Sequence, residues 1–205
     1  MKKETPNWVK TIVTIIITLI VLLLLLLIIR MIKNASILQP LANLASDKLN
    51  STNYSYERTI IDDSHNILRT RKQLGNQYVV KTYVYDEENP AIVSEYYDGT
   101  DTTIITEQNG TKEEKSNNSA SKDETLSNVI STSLYENWTS FDMIFNSKIS
   151  KLNNSNVYSI EYEGITCFID GQTGLPLVVV TKDTTETFSF EFNQVTSNDL
   201  VIPNV

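Results

Sequence analysis

The sequence predicts an α+β fold: a curved antiparallel sheet with helices packed against it, preceded by one transmembrane helix. Three observations predict it. Residues 11–29 read TIVTIIITLIVLLLLLLII without a charge. Two blocks of segments with period-two alternation of apolar and polar residues follow. Between the blocks, apolar residues recur every three or four positions instead.

At 1.5 Å per residue the 11–29 segment is about 28 Å long, close to the roughly 30 Å hydrocarbon core of a bilayer. Only Thr interrupts the run, and its hydroxyl can bond back to the helix backbone. A cleaved signal peptide has a shorter apolar region and a small-x-small site, whereas here Arg30-Met-Ile-Lys33 follows directly. No Cys follows the run, so lipoprotein processing is not expected. Residues 1–10 then read as a cytoplasmic tail, 11–29 as a signal-anchor helix, 30–36 as a juxtamembrane linker and 37–205 as a β-rich domain. Lys2, Lys3 and Lys10 balance Arg30, Lys33 and Lys48, so basic residues near the span do not decide its orientation. Long domains translocate largely regardless of charge, and this one is rich in Thr, Asn and Tyr and poor in Cys. The expected localisation is the cell membrane, single-pass, with the N-terminus cytoplasmic and the C-terminal domain extracytoplasmic. Trp8 would sit in the interfacial belt.

Ile37, Leu38, Leu41, Leu44, Ala45 and Leu49 fall on one face of a short helix with Pro40 in its first turn. Strands are predicted at 53–61, 66–72, 77–86, 91–97 and 102–107, separated by turn formers and hence paired as antiparallel hairpins. Residues 108–122 are polar and aperiodic, and read as an exposed loop. Ser121 and Glu124 match a capping box, followed by Leu126, Val129, Ile130, Leu134 and Trp138 on one helical face. A second helix is predicted over 140–152, with Phe141, Ile144, Phe145 and Ile149 apolar. Strands return at 157–163, 165–170, 175–182 and 186–195. In the last, Phe188, Phe190 and Phe192 alternate with Ser189, Glu191 and Asn193, so one face is aromatic and the other polar.

A net charge of -8 and a pI near 4.7 argue against nucleic acid, whose phosphates require clustered Lys and Arg. The one basic run, Arg69-Thr-Arg-Lys72, reads as the solvated end of a strand. Cys167 is the lone cysteine, so no intrachain disulfide forms, and its apolar neighbours predict burial. His65, the only histidine, follows Asp62 and Asp63 in a predicted turn, with no second His or Cys to complete a zinc site. No nucleophile elbow or phosphate-binding loop is present, and the pairs Glu113-Glu114 and Glu87-Glu88 read as solvated charges. No enzyme activity, catalytic residue, metal or cofactor is expected. Asn-x-Ser/Thr triplets such as Asn34 and Asn53 arise readily in so Asn- and Ser-rich a chain, and the Lys/Asn/Ile-rich composition favours a bacterial source.

The helix, strand, helix, strand order, Asp170-Gly-Gln-Thr-Gly-Leu-Pro176, the Phe188-x-Phe-x-Phe-Asn193 strand, and Asp199 and Pro203 after it together resemble the lipoprotein-carrier superfamily, LolA-like and LppX/LprG-like. The resemblance implies an incomplete β-barrel that wraps over helices and encloses an apolar cavity for acyl chains. A retained membrane helix departs from the soluble or lipid-anchored shuttles of that family. The functional expectation is a membrane-anchored extracytoplasmic protein holding a lipid, acyl chain or lipoprotein in an apolar concavity. Its lining would be Tyr83, Tyr85, Leu126, Ile130, Phe141, Phe145, Phe188, Phe190 and Phe192. Core packing is the alternative account of these aromatic residues. A ligand-free interaction or sensory module acting through an envelope protein partner is the alternative function.

Overall fold

In the computed structural model, which describes residues 6–85, 90–117, 126, 130, 140–152 and 155–203, one long apolar helix leads into an open antiparallel sheet. The helix, α1, runs unbroken over Asn7–Leu49. It is long and apolar enough to cross a membrane. Thr11, Thr14 and Thr18 donate their hydroxyls to the carbonyls of Asn7, Lys10 and Thr14, satisfying them within the helix.

The 30–36 segment, expected as a linker, is helical, and Pro40 lies inside α1 rather than in the first turn of a separate helix. Proline at that position removes the bond to the Ser36 carbonyl. Both Pro40 and Ser36 are on the exposed side, where water can replace the lost donor.

Among the described residues eleven strands follow: β1 Asn53–Asp62, β2 Asn66–Leu74, β3 Gln77–Val84, β4 Ala91–Tyr97, β5 Thr102–Gln108, β6 Thr111–Asn117, β7 Lys148–Lys151, β8 Val157–Tyr162, β9 Ile165–Asp170, β10 Pro176–Val180 and β11 Thr184–Phe192. They form one sheet in the order β6-β5-β4-β3-β2-β1-β11-β10-β9-β8-β7, which does not close. The two hairpin meanders meet where β1 pairs with β11, Tyr56 opposite Phe190 and Arg58 opposite Phe188.

Two expectations are corrected here. Residues 108–122 are not simply a loop, because β6 pairs with β5 across Asn109 and Gly110, both at positive φ (51° and 75°). Such a pair suits the two-residue turn whose twist matches a hairpin. Helix 140–152 is shorter than expected: α2 covers Phe141–Asn146, with the Ser140 hydroxyl accepting from the Met143 amide, and β7 takes the rest. The Ser121/Glu124 capping box, Trp138 and the 88–89 part of a turn lie outside the described residues.

One face of the sheet carries the main core. Tyr54 and Tyr56 of β1, Phe188 of β11, Val179 of β10, Cys167 and Ile169 of β9, and Ile160 and Tyr162 of β8 cluster with Leu38, Leu41 and Ala45 of α1, Met143 of α2, and the helical Leu126 and Ile130. Full burial of each large apolar side chain contributes about 1.5–3 kcal/mol, which makes this layer the main stabilising element. The turn between β9 and β10 reaches α1 through Gly174, at φ 70°. Asp170 organises that turn: its carboxylate accepts from the Thr173 amide and hydroxyl at 3.1 and 2.8 Å.

Past β11 the chain crosses to the opposite face. There a 3-10 helix, Ser197–Leu200, packs against β2 and β3, and Leu200 joins a small cluster of Val79, Tyr96 and Ile105.

Candidate functional site

Residues directly opposite one another in the ladders share a face. Serial pairing of Glu191 with Ser55, Ser55 with Lys72 and Lys72 with Val79 therefore builds one row across four strands. Ser189, Glu57, Thr70 and Lys81 build the next. These rows lie on the face away from α1 and line an open groove of about 390 Å³, closed at one side by Asp199 and reaching Tyr83.

Its lining sets the cations Lys72 and Lys81, with Arg71 beneath them, among three carboxylates, Glu57, Glu191 and Asp199. Lys72 donates to Asp199 Oδ1 at 2.5 Å, and the Thr196 hydroxyl and amide donate to Oδ2 at 2.7 and 3.0 Å. These donors, Lys72 foremost, hold the Asp199 carboxyl far below the usual carboxylate range. The Ser55 hydroxyl donates to Glu191 at 3.4 Å. With both charge signs and several hydroxyls on a rigid sheet, the groove offers donors and acceptors to a polar chain. Its hydroxyls have no imidazole beside them: His65 sits in the β1–β2 turn, its amide donating to Asp62 Oδ1 at 2.6 Å. The amides of Ser64 and His65 in turn lower the Asp62 pKa.

The residues expected to line one concavity are divided among three places. Leu126, Ile130 and Phe188 are buried in the main core, with Phe190 and Phe192 packed against it. The Phe188 and Phe190 rings stack at 5.9 Å, and Arg58, which pairs with Glu186 at 2.9 Å, lies over Phe188. Tyr83 lies on the opposite face, opposite Leu68, and lines the polar groove, while Tyr85 projects past the end of β3, 54% exposed. Phe141 and Phe145 stack at 6.1 Å on α2, and Phe141 is 70% exposed.

The Arg69–Lys72 run is not a solvated strand end. Alternation sends Thr70 and Lys72 to the groove face, and Arg71 to the other, where it is buried. Its guanidinium lies 4.2 Å from the Tyr78 ring centroid and donates to Gln73 Oε1, which also accepts from the Tyr54 hydroxyl at 2.7 Å. The Tyr78 hydroxyl donates to Glu95 at 2.7 Å, so an inward polar network runs across β1 to β4.

Cys167 is fully buried, and desolvation pushes its thiol up to about 12, which suppresses the thiolate that nucleophilic chemistry requires. Among the described residues, no three His, Cys, Asp or Glu side chains converge to hold a metal ion.

Sequence reasoning passed over the junction between helix and domain. Asn34 is buried, and its Nδ2 donates to the carbonyls of Ile144 and Ser147 at 2.9 and 3.0 Å, while Arg30 donates to Ser147 at 3.1 Å. The clue was in the spacing: Asn34 precedes Leu38, Leu41 and Ala45 on the same helical stripe, so a polar residue there faces the core and needs partners.

No protein-family model matches the chain, and no curated protein matches it.

Proposed function

We propose that the chain is a single-pass, membrane-anchored, non-enzymatic interaction module whose domain lies outside the cytoplasm and receives a polar segment of an envelope protein partner in the groove of β1, β2, β3 and β11. One observation carries this reading. The aromatic face of β11, the side suited to an acyl chain, is packed by α1, α2, Leu126 and Ile130 of the same chain, whereas the groove face is open and lined by both charge signs. A charged, hydroxyl-bearing groove favours a partner by complementarity. The unbroken α1 supports a sensory role, because the part of the helix that joins the core at Leu38, Leu41 and Ala45 continues into the span without a break.

A second reading is favoured by the sheet itself. An open antiparallel sheet that meets helices on one face supports the lipoprotein-carrier resemblance, with α1 and α2 on the concave side of an incomplete barrel and a lipid, acyl chain or lipoprotein against Phe188, Phe190 and Phe192.

Photo-crosslinking in intact cells separates the two. With a benzophenone side chain at Lys81, the interaction module yields a discrete protein adduct that disappears in the Lys72→Glu background. A lipid adduct from a probe at Phe190, with none at Lys81, would replace this reading with the carrier.

A further inference from the structure

The apolar span ends at Ile29, and α2 is fastened to α1 just beyond it. Arg30 reaches the carbonyl of Ser147, and Asn34, about 6 Å further along the axis, holds those of Ile144 and Ser147. The headgroup layer occupies roughly 5–8 Å on each side of the hydrocarbon core. Given that residues 11–29 cross a bilayer, α2 is attached at the depth of that layer. The buried positions of α1 are Asn34, Leu38, Leu41 and Ala45, so α2 meets the lowest of them and forms the membrane-proximal floor of the domain.

The orientation of α2 follows from its own burial. Met143 is fully buried in the core. At about 100° per residue, Phe141 and Phe145 lie about 160° around the helix from Met143, pointing away from the core. Asp142, between the two directions, is held by accepting from the Tyr162 hydroxyl. Phe141, 70% exposed, and the half-buried Phe145 stacked on it thus lie on the outer side of α2 at the end of the domain nearest the span. Arg30 and Lys33 of α1, both exposed, put positive charge beside this floor, suited to anionic headgroups.

We propose that α2 is a second membrane contact, in which Phe141 and Phe145 rest in the interfacial layer of the bilayer that residues 11–29 cross. Short apolar faces bearing Phe bind at this depth by burying their rings at the headgroup boundary. With the span and α2 both engaged, the domain is held at a fixed height and its tilt relative to the membrane normal is restrained.

The inference rests on the membrane reading of 11–29, and the test separates the two. The full chain is reconstituted in vesicles of phosphatidylethanolamine and phosphatidylglycerol, with a nitroxide on Phe141→Cys, Leu22→Cys or Asp47→Cys. Buried Cys167 leaves the introduced thiol as the reactive one, and the unsubstituted chain checks the background. Depth is read from collision with oxygen against collision with a water-soluble nickel chelate. Expected is an oxygen-to-nickel ratio at Phe141 several-fold above that at Asp47, with Leu22 the highest. A Phe141 ratio equal to that of Asp47, with Leu22 still in lipid, would overturn the inference and leave the span intact. An aqueous Leu22 would overturn both. Phe145→Cys repeats the measurement on the neighbouring ring, so that a local disturbance by one label does not decide the outcome.

Discussion

The backbone of Gly174 abuts that of Leu41: a Cβ placed on Gly174 would stand 2.2 Å from the Leu41 carbonyl oxygen and 2.7 Å from the Ala45 amide nitrogen. Both neighbours are helix backbone and cannot swing aside. Gly174→Ala therefore combines left-handed strain of about 1–2 kcal/mol with overpacking of about 1–3 kcal/mol. Gly110, at φ 75° with nothing near its Cβ position, carries the strain alone. In thermal unfolding of the full chain in detergent, Gly174→Ala should lower the midpoint well beyond Gly110→Ala. Equal shifts would mean that the β9–β10 turn does not press on α1.

Asn34→Ala removes the side-chain donor to the Ile144 carbonyl and one of the two side-chain donors to that of Ser147. Leaving a buried acceptor unpaired costs about 1–3 kcal/mol, and the loss is local to α2. Amide exchange over 141–147 should quicken, while exchange in β8, β9 and β10 stays slow. Unchanged protection in α2 would assign its docking to Met143 instead.

Phe188 distinguishes a packed face from a ligand surface. Its removal from a filled core, as Phe188→Ala, should cost about 3–5 kcal/mol in denaturant unfolding. A variant that keeps its stability but loses a bound acyl chain would show that the ring lined a cavity.

The Lys72–Asp199 contact predicts a pH dependence of definite sign. The Asp199 pKa is lowered, so the stabilisation it brings is fully present above the ordinary Asp value of 3.8 and fades only as pH falls through the depressed folded value. The 3-10 helix should therefore stay docked on β2 and β3 at pH 4. Lys72→Met removes the largest cause of the shift and should move the Asp199 titration, followed by carboxyl NMR, upward toward 3.8. A titration unmoved by that change would assign the shift to Thr196 alone.

Strands that bury one face were readable from residue order. Tyr54 and Tyr56 alternate with Ser55 and Glu57, and the Phe188 series alternates with Ser189 and Glu191, because water on one side and core on the other impose a period of two. β6 gave no such pattern: Thr111 to Lys115 are exposed regardless of the face they occupy, so only the Asn109-Gly110 turn pointed to a hairpin. Continuity of α1 was hidden by Arg30, Lys33 and Pro40, each an ordinary sign of a boundary. The groove escaped notice for a different reason. Its residues are the outward polar positions of four strands, and Asp199 reaches Lys72 from 127 residues away, a proximity that no local pattern encodes. Tyr83 was singled out as an inward aromatic, and only the ladder register places it on the polar side.

The joining of β1 to β11 has a bearing on how such a chain is made. Asn53 donates to the Val195 carbonyl and accepts from its amide, 142 residues apart, so the centre of the sheet is completed by the last of the described strands. An N-terminal meander made first must wait with β1 unpaired on one edge until β11 arrives. Closing so long a loop before any cross-strand contact is gained makes assembly slow. During that interval Tyr54 and Tyr56 are an exposed sticky edge, and the Lys and Glu residues of β6 guard only the opposite one.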